Sequence, residues 1–147
     1  MRAGAYVEVL HPSRADGGLE VNDRSLVLRI AFGGASLLVP GDLERRGERR
    51  VRASGLDLSA DALVVGHHGS AGSSSPEFLE AVRPRAAVIS VGFANPFGHP
   101  GAAVVERLRA ARVRVQRTDR DGRVVLRPGP GDWSIETWIR RESGEPE

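Results

Sequence analysis

The 147-residue sequence contains neither cysteine nor lysine. The absence of cysteine excludes disulfide bonds, thiolate metal sites and cysteine nucleophiles. No apolar run approaches the ~18 residues that a membrane span needs, and residues 1–10 contain no signal-peptide hydrophobic core. We therefore expect a chain that is soluble by itself and has no membrane span.

Because lysine is absent, all 21 basic side chains are arginine, set against 19 acidic ones for a net charge of +2. The planar arginine fork suits phosphate oxygens, and its charge cannot be titrated away. A solvated surface with a bias toward arginine has the same composition. The charge balance therefore allows an anionic partner without demanding one.

The order of apolar and polar segments predicts an α/β domain. A first helix is capped by Ser74 or Ser75 with Pro76 near its first position, a second begins at Pro100, and residues 43–52 form a short helix or a loop. Two helices are thin cover for so many strands, which indicates a piece of a larger domain. The predicted strands span residues 6–10, 24–32, 36–39, 62–65, 86–91, 113–117, 123–127 and 133–139.

A histidine pair is the most informative local feature. His67 and His68 lie in Gly66-His-His-Gly69-Ser70, directly after a strand that lacks alternation and is therefore buried on both faces. Loops that leave strand carboxyl ends are where α/β folds bind ligands, and imidazole is the commonest metal ligand. The glycine-flanked pair therefore favours function over structure, whereas His11 is predicted to be a surface turn residue.

Two further side chains follow predicted strands. Asp42 ends Pro40-Gly41-Asp42, where its carboxylate is suited either to bridging two metal ions or to capping the segment that follows. His99 lies where the loop after residues 86–91 enters the second helix. It either reaches the same rim as His67 and Asp42 or serves as a cap or packing residue.

Serines 70, 73, 74 and 75 precede the first predicted helix. A helix N-terminus offers free N–H groups and the positive end of the helix dipole, which favour an anion such as a phosphate. A phosphate site beside the histidine pair is one interpretation. Plain helix capping, which needs one serine of the four, is the other.

Taken together and in this order, five motifs resemble the C-terminal metallo-β-lactamase-like domain of ComEC-type competence proteins. The match runs over about residues 7–126. The motifs are Asn22-Asp23-x-Ser25, Val39-Pro-Gly41-Asp42, Gly66-His-His-Gly-Ser70, Asn95-x-x-Gly98-His99-Pro100 and Arg117-Thr118-Asp119-x-x-Gly122.

The resemblance implies an αββα sandwich with a hydrolytic site for a divalent metal, zinc or manganese, that acts on DNA. It assigns Asp42 as the bridging ligand and His67 as a ligand, with His68 beside it as a second ligand or phosphate contact. Asp42 and His68 are then the catalytic candidates. The candidates for substrate binding are Ser70, Ser74, Ser75 and His99.

The family's first metal-binding motif, His-x-His-x-Asp-His, is absent from this sequence. Residues 1–141 are therefore expected to form the second half of the domain, a partial sandwich that lacks its N-terminal half, followed by a polar tail at residues 142–147. The resemblance further implies attachment to the remainder of a bacterial inner-membrane protein, on its non-cytoplasmic side. Because two or three ligands are too few for a catalytic zinc site, we expect no nuclease activity from this chain alone.

Two other interpretations remain. A truncated product without independent function would expose apolar surface and aggregate. A non-catalytic, arginine-rich module that binds nucleic acid would instead use arginines near the second helix and the strands that follow. These are Arg107, Arg109, Arg112, Arg114, Arg117 and Arg120.

Overall fold

A six-stranded mixed sheet forms the centre of the structure, a computed structural model that describes residues 4–16 and 18–138. The strand order follows the sequence, β1-β2-β3-β4-β5-β6, with β1, β2 and β3 antiparallel and β3 to β6 parallel. A separate antiparallel ribbon contains β7 and β8. The strands are β1 Tyr6–His11, β2 Val27–Phe32, β3 Ala35–Val39, β4 Ala62–Val64, β5 Ala86–Ile89, β6 Arg114–Arg117, β7 Arg123–Gly129 and β8 Asp132–Trp138.

β2 and β3 form an antiparallel hairpin. Gly33 and Gly34, with φ angles of 59° and 89°, form its turn. The expectation that β2 starts at residue 24 is wrong, because Asn22–Arg24 forms a 3-10 turn instead. That turn directs the Asp23 carboxylate to the backbone N–H of Gly47, 2.8 Å away, which local propensity does not reveal.

Helices cover one face of the sheet. Ser75 is the N-cap of α2, because its hydroxyl accepts the Phe78 N–H at 3.3 Å. The second predicted helix starts at Ala102, two residues later than expected, with Gly101 at its N-cap. Residues 43–52, left open between helix and loop, are mainly helical. The helices are α1 Arg45–Arg52, α2 Pro76–Val82, α3 Ala102–Ala110 and the single turn α4 Thr118–Asp121.

The main core lies between this helical layer and the sheet. Leu38, Leu63 and Ile89 point from β3, β4 and β5 toward the helices and are fully buried. Phe78 of α2 and Leu108 of α3 pack against them, also with no exposed surface. Burial of such side chains contributes roughly 1.5–3 kcal/mol each, which fixes the helices to the sheet.

The ribbon of β7 and β8 covers part of the opposite face. Trp133 of β8 packs in a small second cluster with Ala35 and Ala62, and its indole N–H donates to the Ser36 carbonyl at 2.9 Å. The sheet is thus covered by helices on one side and by a ribbon on the other. Ile139, the last residue of the predicted final strand, and the predicted tail at 142–147 lie outside the described residues.

The predicted mixed α/β class is confirmed. β4, which is expected to be buried on both faces, has that environment apart from half-exposed Val64, and β5 is buried throughout. In the part of the chain that the structure describes, no helix has the length and apolarity required to cross a bilayer.

Candidate functional site

Four loops leave the sheet at one end of its strands. Because β3, β4, β5 and β6 run parallel, their carboxyl ends meet at the same side. The loop after β3 carries Asp42, the turn after β4 carries His67 and His68, and the loop after β5 carries His99. The sequence predicted that these side chains follow strand ends, and the topology brings their loops together.

His67 is bound to the loop after β3 at two points. Its backbone N–H donates to the Gly41 carbonyl at 2.9 Å, next to Asp42. Its ring Nδ1 lies 2.9 Å from a carboxylate oxygen of Glu44, which can only accept, so Nδ1 carries the proton. A carboxylate behind Nδ1 is the usual partner of a metal-binding histidine, and it leaves the Nε2 lone pair available.

His68 has the same arrangement with a different acceptor. Its Nδ1 donates to the Ser90 carbonyl at the end of β5, 2.8 Å away, and its ring is exposed. Within the described residues no hydrogen bond reaches Nε2 of His67 or His68. The His68 ring lies 6.4 Å from the His67 ring, and the His99 ring lies 5.8 Å from His67 on centroids.

The backbone of the histidine pair is strained. His67 and His68 have φ angles of 47° and 53°, in the left-handed region that residues other than glycine rarely adopt. Each such residue costs of order 1–3 kcal/mol, and such strain concentrates at functional sites. The conformation directs two consecutive imidazoles to the loops after β3 and β5.

Asp42 lies on the same rim, with an exposed side chain. Its backbone N–H donates to the Ser25 hydroxyl at 3.1 Å, which fixes the turn without using the carboxylate. Asp42, His67 and His68 offer donors of the type that divalent metals bind. Among the residues described, however, no group of three His, Cys, Asp or Glu side chains is placed to hold a metal ion. The donor type fits a metal, but the set is incomplete.

The serines do not form an open anion site. Ser74 and Ser75 are buried, and their backbone N–H groups both donate to the carboxylate of Glu48 on α1, the second at 3.0 Å. Burial raises the pKa of Glu48 above its usual value, although these N–H donors oppose the shift. The N-terminus of α2 is thus occupied by a carboxylate of the chain itself. Ser70 is half-buried at the end of the histidine turn.

The loop between β5 and α3 has a defined shape. The Asn95 side chain donates to the His99 carbonyl at 2.7 Å and accepts the His99 N–H at 3.0 Å. The Thr118 hydroxyl at the end of β6 bonds both backbone groups of Val91 at 2.7 Å. Phe97 stacks on the His99 ring, with centroids 6.1 Å apart.

Sequence reasoning gave no role to Glu44, Glu48 or Asn95. A carboxylate two residues after Asp42 has no sequence signature of its own, so the sequence does not single out Glu44. The partner of Glu48 is 26 residues away along the chain, and no local pattern indicates that contact. Asn95 is the first residue of the motif Asn95-x-x-Gly98-His99-Pro100, and that motif is the sequence signal for it.

The expectation that His11 is a surface turn residue is wrong. His11 ends β1 and is buried, with Nε2 2.8 Å from the Asp23 carbonyl. Its Nδ1 lies 3.5 Å from the Asp16 carboxylate. Hydrogen bonds from Ser13 and Arg50 hold the pKa of Asp16 below its usual range, so this carboxyl stays charged. His11 therefore supports the fold.

The arginines of the rival interpretation divide into two groups. Arg107 is half-buried and donates to the carbonyls of Ala71, Ser73 and Ser74. Arg117 pairs with Asp119 at 2.6 Å, and this contact holds the pKa of Asp119 below its usual value. Both serve internal contacts. The remaining four are exposed: Arg109, Arg112, Arg114 and Arg120.

Taken together, the fold and the rim define a mixed α/β protein with paired histidines at the carboxyl edge of its sheet, and comparison with known proteins relates it to competence proteins. The chain is 45% identical over 129 residues to Competence protein ComA of Neisseria gonorrhoeae, an alignment that covers 87% of the chain and 18% of that protein. It is 41% identical over 119 residues to ComE operon protein 3 of Bacillus subtilis, covering 81% and 15%. Recombination protein 2 of Haemophilus influenzae is 38% identical over 125 residues, covering 82% and 15%.

The chain therefore spans 15–18% of the length of these relatives. No protein-family model matches it. The predicted relation to competence proteins is confirmed, while the metallo-β-lactamase-like sandwich and the metal site stay predictions.

Proposed function

We propose that the chain supplies part of a metal-dependent hydrolase site that cleaves DNA phosphodiester bonds within a larger competence protein. The single observation that carries the proposal is the state of the histidine pair. His67 and His68, on a strained backbone, each donate Nδ1–H to an acceptor of the chain, and no hydrogen bond among the described residues reaches Nε2 of either ring. The names of the relatives supply the association with competence.

In this proposal Asp42, His67 and His68 hold part of a zinc or manganese centre. Such a cation supplies Lewis acidity that acidifies water and neutralises phosphate charge. Glu44 keeps the His67 ring oriented and its Nδ1 protonated, and the Ser90 carbonyl does the same for His68. Asp42 lies on the exposed turn after β3. Its hydrogen bond to the Ser25 hydroxyl uses the backbone N–H and not the carboxylate.

The substrate contacts proposed here differ in exposure. His99 and Ser70 are half-buried at the rim, and either can meet a phosphate oxygen. His68 is the alternative phosphate contact if it is not a ligand. Because Ser74 and Ser75 are buried against Glu48, we assign them to shaping the turn before α2.

The proposal requires ligands beyond these three. A catalytic zinc site commonly takes three protein ligands and a water, and a pair of metals needs more. The sequence has no His-x-His-x-Asp-His motif. We therefore propose that the chain forms a partial αββα sandwich, completed by the remainder of a parent membrane protein on its non-cytoplasmic side. By itself, the chain is expected to cleave no DNA.

The test is a graft into a relative. The 129 aligned residues replace the matching segment of Competence protein ComA of Neisseria gonorrhoeae. Transformation frequency is measured in cells, and manganese-dependent and zinc-dependent DNA hydrolysis is measured on the purified chimera. We expect His67→Ala and Asp42→Asn to lower hydrolysis by at least the ~10–100-fold that follows loss of a ligand's partner. Asp57→Asn, a change at an exposed loop carboxylate, is the matched control.

Full hydrolysis in the His67→Ala chimera would contradict the proposal. Metal-dependent turnover by the isolated chain that disappears in Asp42→Ala would contradict the incompleteness of the site. DNA binding that falls steeply with salt and ignores both chelator and His67→Ala would favour the arginine-rich binding module instead.

A further inference from the structure

The loop between β5 and α3 exposes two phenylalanines beside the histidines. Phe93 is 87% exposed and Phe97 is 79% exposed, the two highest values among the large apolar side chains described. Single exposed apolar residues are common on protein surfaces. Two aromatic rings within five residues of one loop, next to a candidate active site, need an explanation.

These rings lie on a loop whose backbone is held by side-chain hydrogen bonds. The Asn95 side chain lies between them in sequence and bonds the backbone on both sides, to the Gly92 carbonyl at 3.2 Å and to His99. Thr118 fixes the start of the loop through Val91. These hydrogen bonds restrict the loop, which reduces the conformational entropy that is lost when a ligand stacks on the rings.

Phe97 continues a series of rings that begins at the histidine pair. His67 and His99 meet edge to face, 5.8 Å apart, and Phe97 stacks on His99 with 23° between the planes. One face of Phe97 is thus turned to His99, and the ring as a whole remains exposed. A flat ligand on the open face of Phe97 would be separated from His67 by the Phe97 and His99 rings.

A concave space adjoins the same rings. A cavity of about 410 Å³ is lined by Phe97 and His99 together with His68, Ser90 and Thr118. Pockets of ~300–1,000 Å³ with an aromatic wall and a few polar groups are typical of small-molecule and nucleotide sites. The cavity provides a flat apolar surface and hydrogen-bonding groups side by side.

We propose that Phe97, assisted by Phe93, stacks on unpaired bases, so that this rim takes a single-stranded nucleic acid in preference to a duplex. The inference rests on the proposed function, because it names the substrate class of the same site. Aromatic side chains stack on any base, but the faces of paired bases in a duplex are covered by their neighbours. His99 and His68 line the same cavity as Phe97, where they can meet the phosphate of a stacked nucleotide.

The composition of the loop favours bases over a lipid surface. Residues 90–101 contain no arginine and no acidic residue. Membrane-surface segments with aromatic residues usually combine them with basic side chains that attract anionic lipids. Exposed Arg120 lies two residues after Thr118, which lines the same cavity. It can supply the phosphate contacts that single-strand binding also needs.

The experiment measures binding by the 147-residue chain in EDTA, so that neither metal nor hydrolysis enters. Fluorescence anisotropy compares a labelled oligothymidylate with a labelled duplex of the same length. We expect Phe97→Ala to weaken binding of the single strand about tenfold, with a smaller loss for Phe93→Ala and little change for the duplex. The control is Phe32→Ala. Phe32 is exposed and lies at the opposite end of the strands, so this change should alter neither the single-strand affinity nor the duplex affinity.

Phe97→Trp provides a readout that does not depend on loss. It should retain single-strand affinity, and stacking should quench the added tryptophan emission relative to the wild-type background. Unchanged single-strand affinity in Phe97→Ala, or an equal loss of duplex affinity, would overturn the inference. Binding to anionic phosphatidylglycerol vesicles is measured in parallel, and an effect of Phe97→Ala found only there would overturn it as well. If single-strand binding depends on Phe97 but the chimera hydrolyses no DNA, stacking is supported and the proposed function is contradicted.

Discussion

At the scale of single residues, Glu48 shows how a buried charge shapes the site from outside it. Only 2% of its surface is exposed, and its carboxylate accepts the N–H groups of Ser74 and Ser75. Arg107, which binds the carbonyls of the same segment, also contributes favourable charge to it. The segment between the histidine turn and α2 is therefore held by one acid and one arginine from two different helices.

We expect Glu48→Ala to destabilise the fold by about 2–5 kcal/mol, because two buried N–H groups lose their acceptor and Arg107 loses the favourable charge of a nearby carboxylate. Urea unfolding followed by circular dichroism measures the loss. Glu80→Ala, at an exposed glutamate of α2, is the matched control and should change stability by no more than about 0.5 kcal/mol. A loss of similar size in both variants would argue against this role for Glu48.

The pH dependence of Glu48 gives a second measurement. Burial raises its pKa above the usual value of 4.5, against the opposing N–H donors. Stability from a group with a raised pKa is present below the unfolded value and is lost as the pH rises through the folded value. We expect the stability of the wild type relative to Glu48→Gln to decline as the pH rises above 4.5. A difference that stays constant or grows would contradict the shift.

Residue type alone did not separate the histidines. His11 and His67 both lie at carboxyl ends of strands, yet one is buried on a backbone carbonyl and the other opens to the rim. The glycines around His67 and the neighbouring His68 were the signal that sequence could use. The contact of His11 with Asp23 depends on a 3-10 turn twelve residues later, which no local pattern predicts.

At the scale of elements, Gly69 brings two of the rim loops together. Its φ is +82°, and an added Cβ would lie 2.6 Å from the Cβ of Pro100. Its carbonyl accepts the Gly101 N–H at 2.9 Å. A side chain at this position would therefore separate the histidine turn from the loop that carries His99.

Gly69→Ala should cost about 2–5 kcal/mol, combining ~1–2 kcal/mol for the left-handed backbone with ~1–3 kcal/mol for the overlap. Gly98→Ala separates the two contributions, because its φ is +68° and nothing lies within 4 Å of the added Cβ. It should lose only the backbone part. Equal losses in thermal or urea unfolding would mean that the approach to Pro100 contributes nothing.

Among the elements, strands were predicted well where apolar runs are short and buried. Residues 62–65 and 86–91 contain β4 and β5 almost as expected, because a parallel strand covered on both faces has no polar positions. The start of β2 was misplaced because Asp23 bonds Gly47 across the structure. The place of the β7–β8 ribbon on the far face follows from Trp133, a tertiary contact without a sequence pattern.

At the scale of the whole molecule, β1 leaves an apolar edge. Within the described residues β1 pairs only with β2, and Tyr6, Val7 and Val9 are each more than half exposed. An unpaired edge strand with apolar side chains is a template for pairing with another chain.

We expect the chain to associate with increasing concentration through this edge, and Val9→Lys to reduce the association, because an edge lysine disfavours strand pairing. Light scattering after size exclusion, over a range of concentrations, measures the mass. Val21→Lys changes an even more exposed valine outside any strand and should leave association unchanged. A wild type that is monomeric throughout, or equal association in all three proteins, would contradict the expectation.

The most direct test of the account concerns the Nε2 atoms of His67 and His68. Long-range proton–nitrogen spectra of the imidazoles are recorded while Zn²⁺ is added to the 147-residue chain. We expect that Nε2 of His67 shifts, that Nδ1 of both histidines stays protonated toward Glu44 and Ser90, and that His11 does not respond. An unshifted Nε2 signal from His67, or binding of Zn²⁺ through Nδ1, would contradict the account.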